Sequence, residues 1–235
     1  MTRPSTQPSR AKTAHQARQT RSHRGPADTH GASRQIADWL QPGRGRPPGP
    51  PPPSAAGGTA AVLRDGSVVL IRQVRAADAP LLADIFAQLS PTSRWMRFLA
   101  AKSHLTEAEL RYLTDIDHHD HEAFAALDAS SGRGLGVARY IRHATDPRAA
   151  ELAIAVADAW HGQGLGTQLL TRLSVQARRA GIHRLTALTA ASNTAMTGLL
   201  HALGAELVTS GSDTVEYQLT LTSWRGRPSP EREPG

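Results

Sequence analysis

The pattern of apolar and polar positions changes at about residue 62 of this 235-residue chain. Beyond that point, short apolar or alternating runs predict β-strands over residues 67–74, 122–129, 135–143, 151–157, 186–189 and 214–221. Apolar positions at helical spacing predict helices over residues 78–89, 91–98, 106–114, 164–180 and 193–203. Strands that come in runs, with helices interleaved later, predict an α/β (α+β) domain built on one mixed sheet.

Local residue choices mark the helix ends. Asp78 is the predicted N-cap of the first helix. Thr106 and Glu109 have the spacing of a capping box, in which the hydroxyl and the carboxylate satisfy amides of the first turn. Gly181 and Gly204 are expected to end the last two helices. Turns between strands are predicted at residues 130–134 and 146–147.

The first 60 residues differ in composition from the rest of the chain. They hold nine Arg or Lys and two Asp, a net charge of 9 − 2 = +7, whereas the other 175 residues hold 18 basic and 18 acidic side chains. We predict a disordered, basic, Pro-rich tail over residues 1–60, with a polyproline II stretch at its end and a possible short helix at residues 36–40. A nucleic-acid tail, a targeting peptide, a Pro-rich ligand and an untranslated extension all fit this composition.

The charge balance and the absent cysteines exclude several classes of function. Because the basic excess lies in the tail, no specific nucleic-acid binding is expected from the folded part. The chain has no cysteine, so disulfides, thiolate zinc sites and a cysteine nucleophile are excluded. No apolar run approaches the length of a membrane span, and no hydrophobic signal segment follows Met1. We therefore expect a cytoplasmic protein with no membrane partner.

A glycine-rich segment between a predicted strand and the longest predicted helix is the main candidate for chemistry. This glycine loop consists of His161, Gly162, Gln163, Gly164, Leu165 and Gly166. Its backbone can bend so that several amides face one cavity, and the helix N-terminus that follows favours an anion such as a phosphate. A plain strand-to-helix turn would also explain glycines here. The spacing matches neither the Walker loop nor the Rossmann fingerprint.

In its wider context the segment resembles the acetyl-CoA signature Q/R-x-x-G-x-G/A of the GNAT superfamily, and is most similar to bacterial Pat-type protein lysine acetyltransferases. The similarity is carried by residues 151–167, 93–98, 113–121, 136–140 and 193–204. It covers roughly residues 66–221. It implies a single GNAT-like mixed, mostly antiparallel sheet flanked by helices, which we assign to residues 61–223, with a C-terminal tail over residues 224–235.

The resemblance also implies where acetyl-CoA, the expected co-substrate, binds. Backbone groups of Ala153, Ile154 and Ala155 would pair with its pantetheine arm. Amides of the glycine loop would hold its pyrophosphate, and Asn193 would contact it from the next helix. His161 departs from the Gln or Arg of the motif, but the expected contribution at that position is made by the backbone.

Glu151 is the general base that the resemblance implies. An attacking ammonium group must lose a proton, and a buried carboxylate beside the thioester can take it directly or through water. A carboxylate that merely faces solvent at a strand end is the alternative. Leu200 occupies the position where many GNAT enzymes carry a tyrosine acid, and the neighbouring His201 is interpreted as a surface histidine.

The run His118, His119, Asp120 and His121 could suggest a metal site. The four side chains are consecutive and lack the i,i+4 spacing of helical zinc ligands, and no thiolate is available. We therefore predict no metal, and expect a loop that borders the acceptor site.

The sequence as a whole predicts an acetyl-CoA-dependent N-acetyltransferase. The expected reaction is transfer of an acetyl group to a primary amine, foremost a protein lysine ε-amine, by direct attack in a ternary complex, because neither a cysteine nor an activated serine is evident. A non-catalytic acyl-CoA sensor and a small-molecule N-acetyltransferase remain as alternatives.

Overall fold

The computed structural model describes residues 58–222. The predicted helix at residues 36–40, the polyproline stretch and the C-terminal tail lie outside the described residues. Five α-helices occur within them: α1 Ala79–Ala87, α2 Pro91–Phe98, α3 Glu107–Thr114, α4 Leu165–Arg179 and α5 Thr194–Ala202. Single 3₁₀ turns precede α1 and follow β5, at Ala76–Asp78 and Asp158–Trp160.

Eight strands within residues 58–222 form one sheet. They are β1 Thr59–Val62, β2 Val68–Gln73, β3 His121–Asp128, β4 Gly134–His143, β5 Asp146–Val156, β6 Arg184–Ala190, β7 Glu206–Ser210 and β8 Thr214–Thr220. Their order across the sheet is β1-β2-β3-β4-β5-β6-β8-β7. Every neighbouring pair is antiparallel except β5 and β6, which are parallel. The mixed, mostly antiparallel sheet with flanking helices is thereby confirmed.

The sheet is covered by helices on both faces, because its strands alternate apolar side chains between the two sides. One face packs against α4 and α5 through the larger apolar cluster, which includes Leu152, Leu169 and Leu200. The other face packs against α1 and α3 through a smaller cluster around Val74, Ile85 and Leu113. The side chains of β5 therefore point alternately into the layers on the two faces of the sheet.

Two strands were not predicted from the sequence. β1 begins at Thr59, two residues inside the range predicted as tail, and β7 is a short, largely exposed edge strand. Both are edge strands of four and five residues. An edge strand buries little apolar surface, and so it shows little of the alternation on which a sequence-based assignment depends.

The predicted turn at Asp146-Pro147 is wrong, because β5 already begins there. Ala144 and Thr145 make the turn instead. The register between β4 and β5 shifts after Arg142, so Pro147 lies where the regular ladder is interrupted. A missing amide hydrogen is tolerated at such an irregularity.

Asp78 occupies the N-cap position of α1 but does not cap that helix with its side chain. Its Oδ2 accepts a hydrogen bond from the Arg75 amide at 2.8 Å and pairs with Arg72 Nη1 at 2.6 Å. The capping box of α3 is confirmed: Thr106 Oγ1 accepts from the Glu109 amide, and Glu109 Oε2 accepts from the Thr106 amide. Among residues 58–222 there is no helix long and apolar enough to span a bilayer.

Candidate active site

The candidate site is a cleft of about 560 Å³ at the place where β5 and β6 separate. The two strands pair only over Ala149, Ala150 and Glu151 on the β5 side. Beyond Glu151, β5 continues to Val156 in register with β4, but no strand within residues 58–222 pairs with it on the β6 side. One edge of the β5 backbone is therefore open to the cleft, and this open edge includes Ala153, Ile154 and Ala155.

The glycine loop lies at the C-terminal end of this open edge. Gly162 and Gly164 have φ values of 76° and 88°, a left-handed conformation that side chains with a Cβ rarely adopt. No amide from Gly162 to Thr167 donates a hydrogen bond to another described residue. Gly164 is the N-cap of α4 and provides no side-chain cap. The loop thus presents unpaired amides at a helix N-terminus, which is the arrangement that binds phosphate.

A glycine is needed at position 166 for a different structural reason. A Cβ at this position would lie 3.0 Å from Leu199 Cδ2 and 3.6 Å from Ile154 Cδ1. The absence of a side chain therefore allows α5 and β5 to approach the first turn of α4 closely. This packing closes the wall of the cleft behind the loop.

Two predicted binding residues use their side chains within the protein. The His161 Nε2 lies 2.9 Å from the Val156 carbonyl oxygen, so this ring nitrogen carries a proton and donates it. Asn193 caps α5: its Oδ1 accepts from the Met196 amide at 3.1 Å, and its Nδ2 donates to Thr189 Oγ1 at 3.1 Å. Both residues line the cleft, but these side chains are already engaged.

Glu151 lies at the point where β5 and β6 part. Its Oε2 is buried and has no hydrogen-bond partner among the described residues. Burial raises the pKa of Glu151 to about 7, while Arg97 opposes this rise and Glu216 adds to it. A carboxyl group with such a pKa is close to evenly divided between its protonated and ionised forms near neutral pH. The alternative of a carboxylate that merely faces solvent at a strand end does not fit this environment.

A group of polar side chains shares the face of the sheet on which Glu151 lies. Arg139 stands opposite Ala153 on β4, and its Nη1 contacts the Leu113 carbonyl at 3.2 Å and His121 Nε2 at 3.0 Å. Burial and the charge of Arg139 together lower the pKa of His121 to about 3, so the ring is neutral. Burial also lowers the pKa of Arg139 to about 9.

The histidine run does not form a metal centre. His118 Nδ1 pairs with Glu122 Oε1 at 2.9 Å, and His119 Nδ1 with Asp120 Oδ1 at 2.7 Å. His121 is engaged by Arg139. In the described part of the chain, no group of three or more His, Asp or Glu side chains could hold a metal ion.

Leu200, at the position where many GNAT enzymes carry a tyrosine acid, has an apolar environment. Leu200 is 1% exposed and packs in the larger core cluster. The next residue, His201, lies at the surface, where its Nε2 is 3.0 Å from the Tyr217 hydroxyl. Neither His201 nor Tyr217 lines the cleft.

Nearly all of the predicted site residues are brought together in this cleft. Gln163 is the exception among them, because it does not line the cavity; its carbonyl accepts from the Arg64 amide at 3.1 Å. Sequence reasoning missed Arg64 and Arg97, which both line the cleft. Arg97 lies in a segment that carried the family resemblance. Arg64 lies in the turn that follows β1, a strand that was not predicted.

The comparisons with known proteins agree with this fold. The profile of the acetyltransferase (GNAT) domain matches residues 69–206, more than half of the chain, and the protein belongs to this family. It is a GNAT acetyltransferase, and acetyl-CoA is its co-substrate.

Its relatives confirm the resemblance to Pat-type proteins. Acetyltransferase PA5475 of Pseudomonas aeruginosa is 36% identical over 144 residues, which are 60% of this chain and 77% of that protein. Acetyltransferase Pat of Mycolicibacterium smegmatis is 29% identical over 61% of this chain, but the match spans only 43% of Pat. The GNAT domain of S. lividans PAT superposes with a TM-score of 0.66 at 27% identity, and the match covers 71% of this chain and 98% of that one.

Proposed function

We propose that the protein transfers the acetyl group of acetyl-CoA to a protein lysine ε-amine, with Glu151 as the general base. The observation that carries this proposal is the buried, unpartnered Oε2 of Glu151 at the edge of the cleft. A base that works near neutral pH needs a pKa near neutrality, and burial raises the pKa of Glu151 to about 7.

The donor side of the proposal rests on the backbone. The open edge of β5 supplies amides and carbonyls at Ala153, Ile154 and Ala155 for the pantetheine arm, and the unpaired amides of the glycine loop suit the pyrophosphate. Asn193 lines the same cleft, although its cap leaves only part of its amide group for a ligand. The residues present therefore fit acetyl-CoA.

The chemistry then depends on holding and moving one proton. When bound, acetyl-CoA supplies a thioester whose acetyl group moves to the amine nitrogen as the carbon–sulfur bond breaks. Glu151 accepts the proton that the amine loses, and the β5 backbone beside it orients the reacting carbonyl. The chain contains no cysteine that could carry a covalent acetyl intermediate, which favours direct attack in a ternary complex.

The lysine acceptor is supported by the similarity to Pat rather than by the cleft itself. An acyl-CoA sensor without catalysis is the second candidate, and one observation favours it: Leu200, in place of a tyrosine, offers no proton to a departing thiolate. Binding of CoA without turnover on any amine would identify such a sensor. A cytoplasmic location also stays a prediction.

The test is turnover of acetyl-CoA with lysine-containing protein or peptide acceptors, followed by release of the CoA thiol. A thiol-reactive dye can be used without background from the protein, because the protein has no cysteine. Its only lysines are Lys12 and Lys102, so these are the only lysines at which it could acetylate itself. We expect Glu151→Gln to reduce kcat by about 100-fold or more while the Kd for CoA stays unchanged. Glu206→Gln, an exposed change on β7, is the matched control. Undiminished kcat in Glu151→Gln would refute the assigned base.

A further inference from the structure

We propose that Arg64, in the turn between β1 and β2, binds the diphosphate of CoA together with the glycine loop. This assignment rests on the proposed function, because it places Arg64 in the same donor site. It concerns a residue outside the loop and outside every motif that the sequence comparison identified.

Arg64 is attached to the loop by two hydrogen bonds. Its amide donates to the Gln163 carbonyl at 3.1 Å, and its Nη1 donates to the Gly162 carbonyl at 3.1 Å. A trans peptide is planar, so fixing these carbonyls also fixes the directions of the Gln163 and Gly164 amides. Arg64 thereby helps to hold the loop in the shape that leaves its amides unpaired.

The turn that carries Arg64 is itself well defined. The Leu63 amide donates to the Ser67 carbonyl at 2.9 Å, and the Gly66 amide donates back to the Leu63 carbonyl at 3.1 Å. Asp65, the nearest acidic residue in sequence, is occupied by the Ser67 amide and hydroxyl at 3.0 Å and 2.9 Å. Arg64 forms no ion pair with any residue in the range 58–222.

The distribution of charge in the cleft leaves a role for this cation. Among the residues that the structure describes, the ionisable ones that line it are Arg64, Arg97, Glu151 and His161. Arg97 interacts electrostatically with Glu151. Glu151 lies about 16 Å from Val156 along β5, at the usual rise per residue of a strand. His161 donates its Nε2 proton to Val156 at the other end. Arg64 is therefore the arginine in the cleft lining at the loop end.

The guanidinium has the donors that this role requires. Arginine carries five N–H groups in a planar fork, and the contact with Gly162 uses one of them. Charge-assisted hydrogen bonds from such a fork to a phosphate are stronger than those between neutral groups. The carbon chain of Arg64 passes close to Gly164, where an added Cβ would lie 3.7 Å from Arg64 Cγ. The side chain thus follows the loop toward the N-terminus of α4.

The experiment compares CoA, dephospho-CoA and pantetheine as ligands of the full chain. Dephospho-CoA lacks the 3′-phosphate, and pantetheine lacks the diphosphate as well. We expect Arg64→Gln to weaken CoA and dephospho-CoA about tenfold, which corresponds to one charge-assisted contact, and to leave pantetheine unchanged. Arg64→Lys should recover part of the loss. The salt dependence of the Kd for CoA should become shallower in Arg64→Gln.

Arg179→Gln is the matched control, because it removes the same charge from an exposed position at the far end of α4. Equal affinities of wild type and Arg64→Gln for CoA would overturn the assignment. A loss confined to CoA would move Arg64 to the 3′-phosphate. A loss that extends to pantetheine, or a loss without any change in the salt dependence of the Kd for CoA, would reduce Arg64 to a structural role. Failure of the wild-type protein to bind CoA would instead refute the proposed function itself.

Discussion

At the scale of single residues, Gly164 and Gly166 of the loop have different physical roles. Gly164 needs its positive φ of 88°, whereas Gly166 is helical and needs only the space beside Leu199. We expect Gly164→Ala to cost about 1–2 kcal/mol in the free energy of unfolding and to weaken CoA at least tenfold, because the strained loop relaxes. Gly166→Ala meets only the end of a flexible leucine and should be milder. Chemical denaturation and calorimetry on both variants test this order, and a larger loss in Gly166→Ala would contradict it.

Glu151 couples activity to stability through its ionisation. Its pKa rises from 4.5 to about 7 on folding, so its contribution to stability is full below pH 4.5 and is lost as the pH rises through 7. Gln mimics the protonated form. Glu151→Gln should therefore increase the free energy of unfolding at pH 8 by about 1–3 kcal/mol, with little change at pH 4.5. Urea denaturation at the two pH values measures the difference.

The same ionisation sets the pH dependence of turnover. A general base must be deprotonated to act, so kcat/KM of the wild-type protein should fall as the pH decreases through about 7. Residual activity in Glu151→Gln should lack this step. A wild-type profile that shows no step between pH 6 and 8 would separate Glu151 from the proton transfer.

At the scale of secondary-structure elements, Asn193 links the cleft to the start of α5. Its Oδ1 caps the helix and its Nδ2 bonds Thr189 on β6. Asn193→Ala should cost about 1 kcal/mol, whereas Asn193→Asp keeps the capping oxygen and should cost less. Thermal unfolding of the two variants checks the cap. If Asn193 also contacts CoA, as the family resemblance implies, the added negative charge of Asp should weaken CoA binding although the helix stays capped.

The elements that sequence could predict are those whose signal is local. α2 has the predicted bounds because Pro91 starts it and Ser90 caps it, and the capping box of Thr106 and Glu109 sets the start of α3. β1 and β7 were missed because an exposed edge strand carries little apolar alternation. The site followed the same rule: the loop is contiguous in sequence, but Arg64 reaches it only through tertiary contacts across 98 residues.

At the scale of the whole molecule, charge is distributed unevenly along the chain. Residues 58–222 contain 15 basic and 16 acidic side chains, a net charge of 15 − 16 = −1, whereas residues 1–60 carry +7. Residues 58–222 on their own provide two core clusters and the cleft with its glycine loop. We therefore expect a fragment of residues 58–222 to fold and to bind CoA with the Kd of the full chain.

In contrast to CoA binding, the binding of polyanions should differ between the full chain and the fragment. Non-specific binding to nucleic acid depends on cationic side chains that displace counterions, and its affinity decreases steeply with salt. The full chain should associate with duplex DNA at low salt and lose this affinity as salt is raised, while the fragment should show none. Mobility-shift assays at two salt concentrations, with CoA binding measured on the same samples, test both halves of the argument. DNA binding by the fragment would place a nucleic-acid surface within residues 58–222, and loss of CoA binding in the fragment would place part of the donor site outside that range.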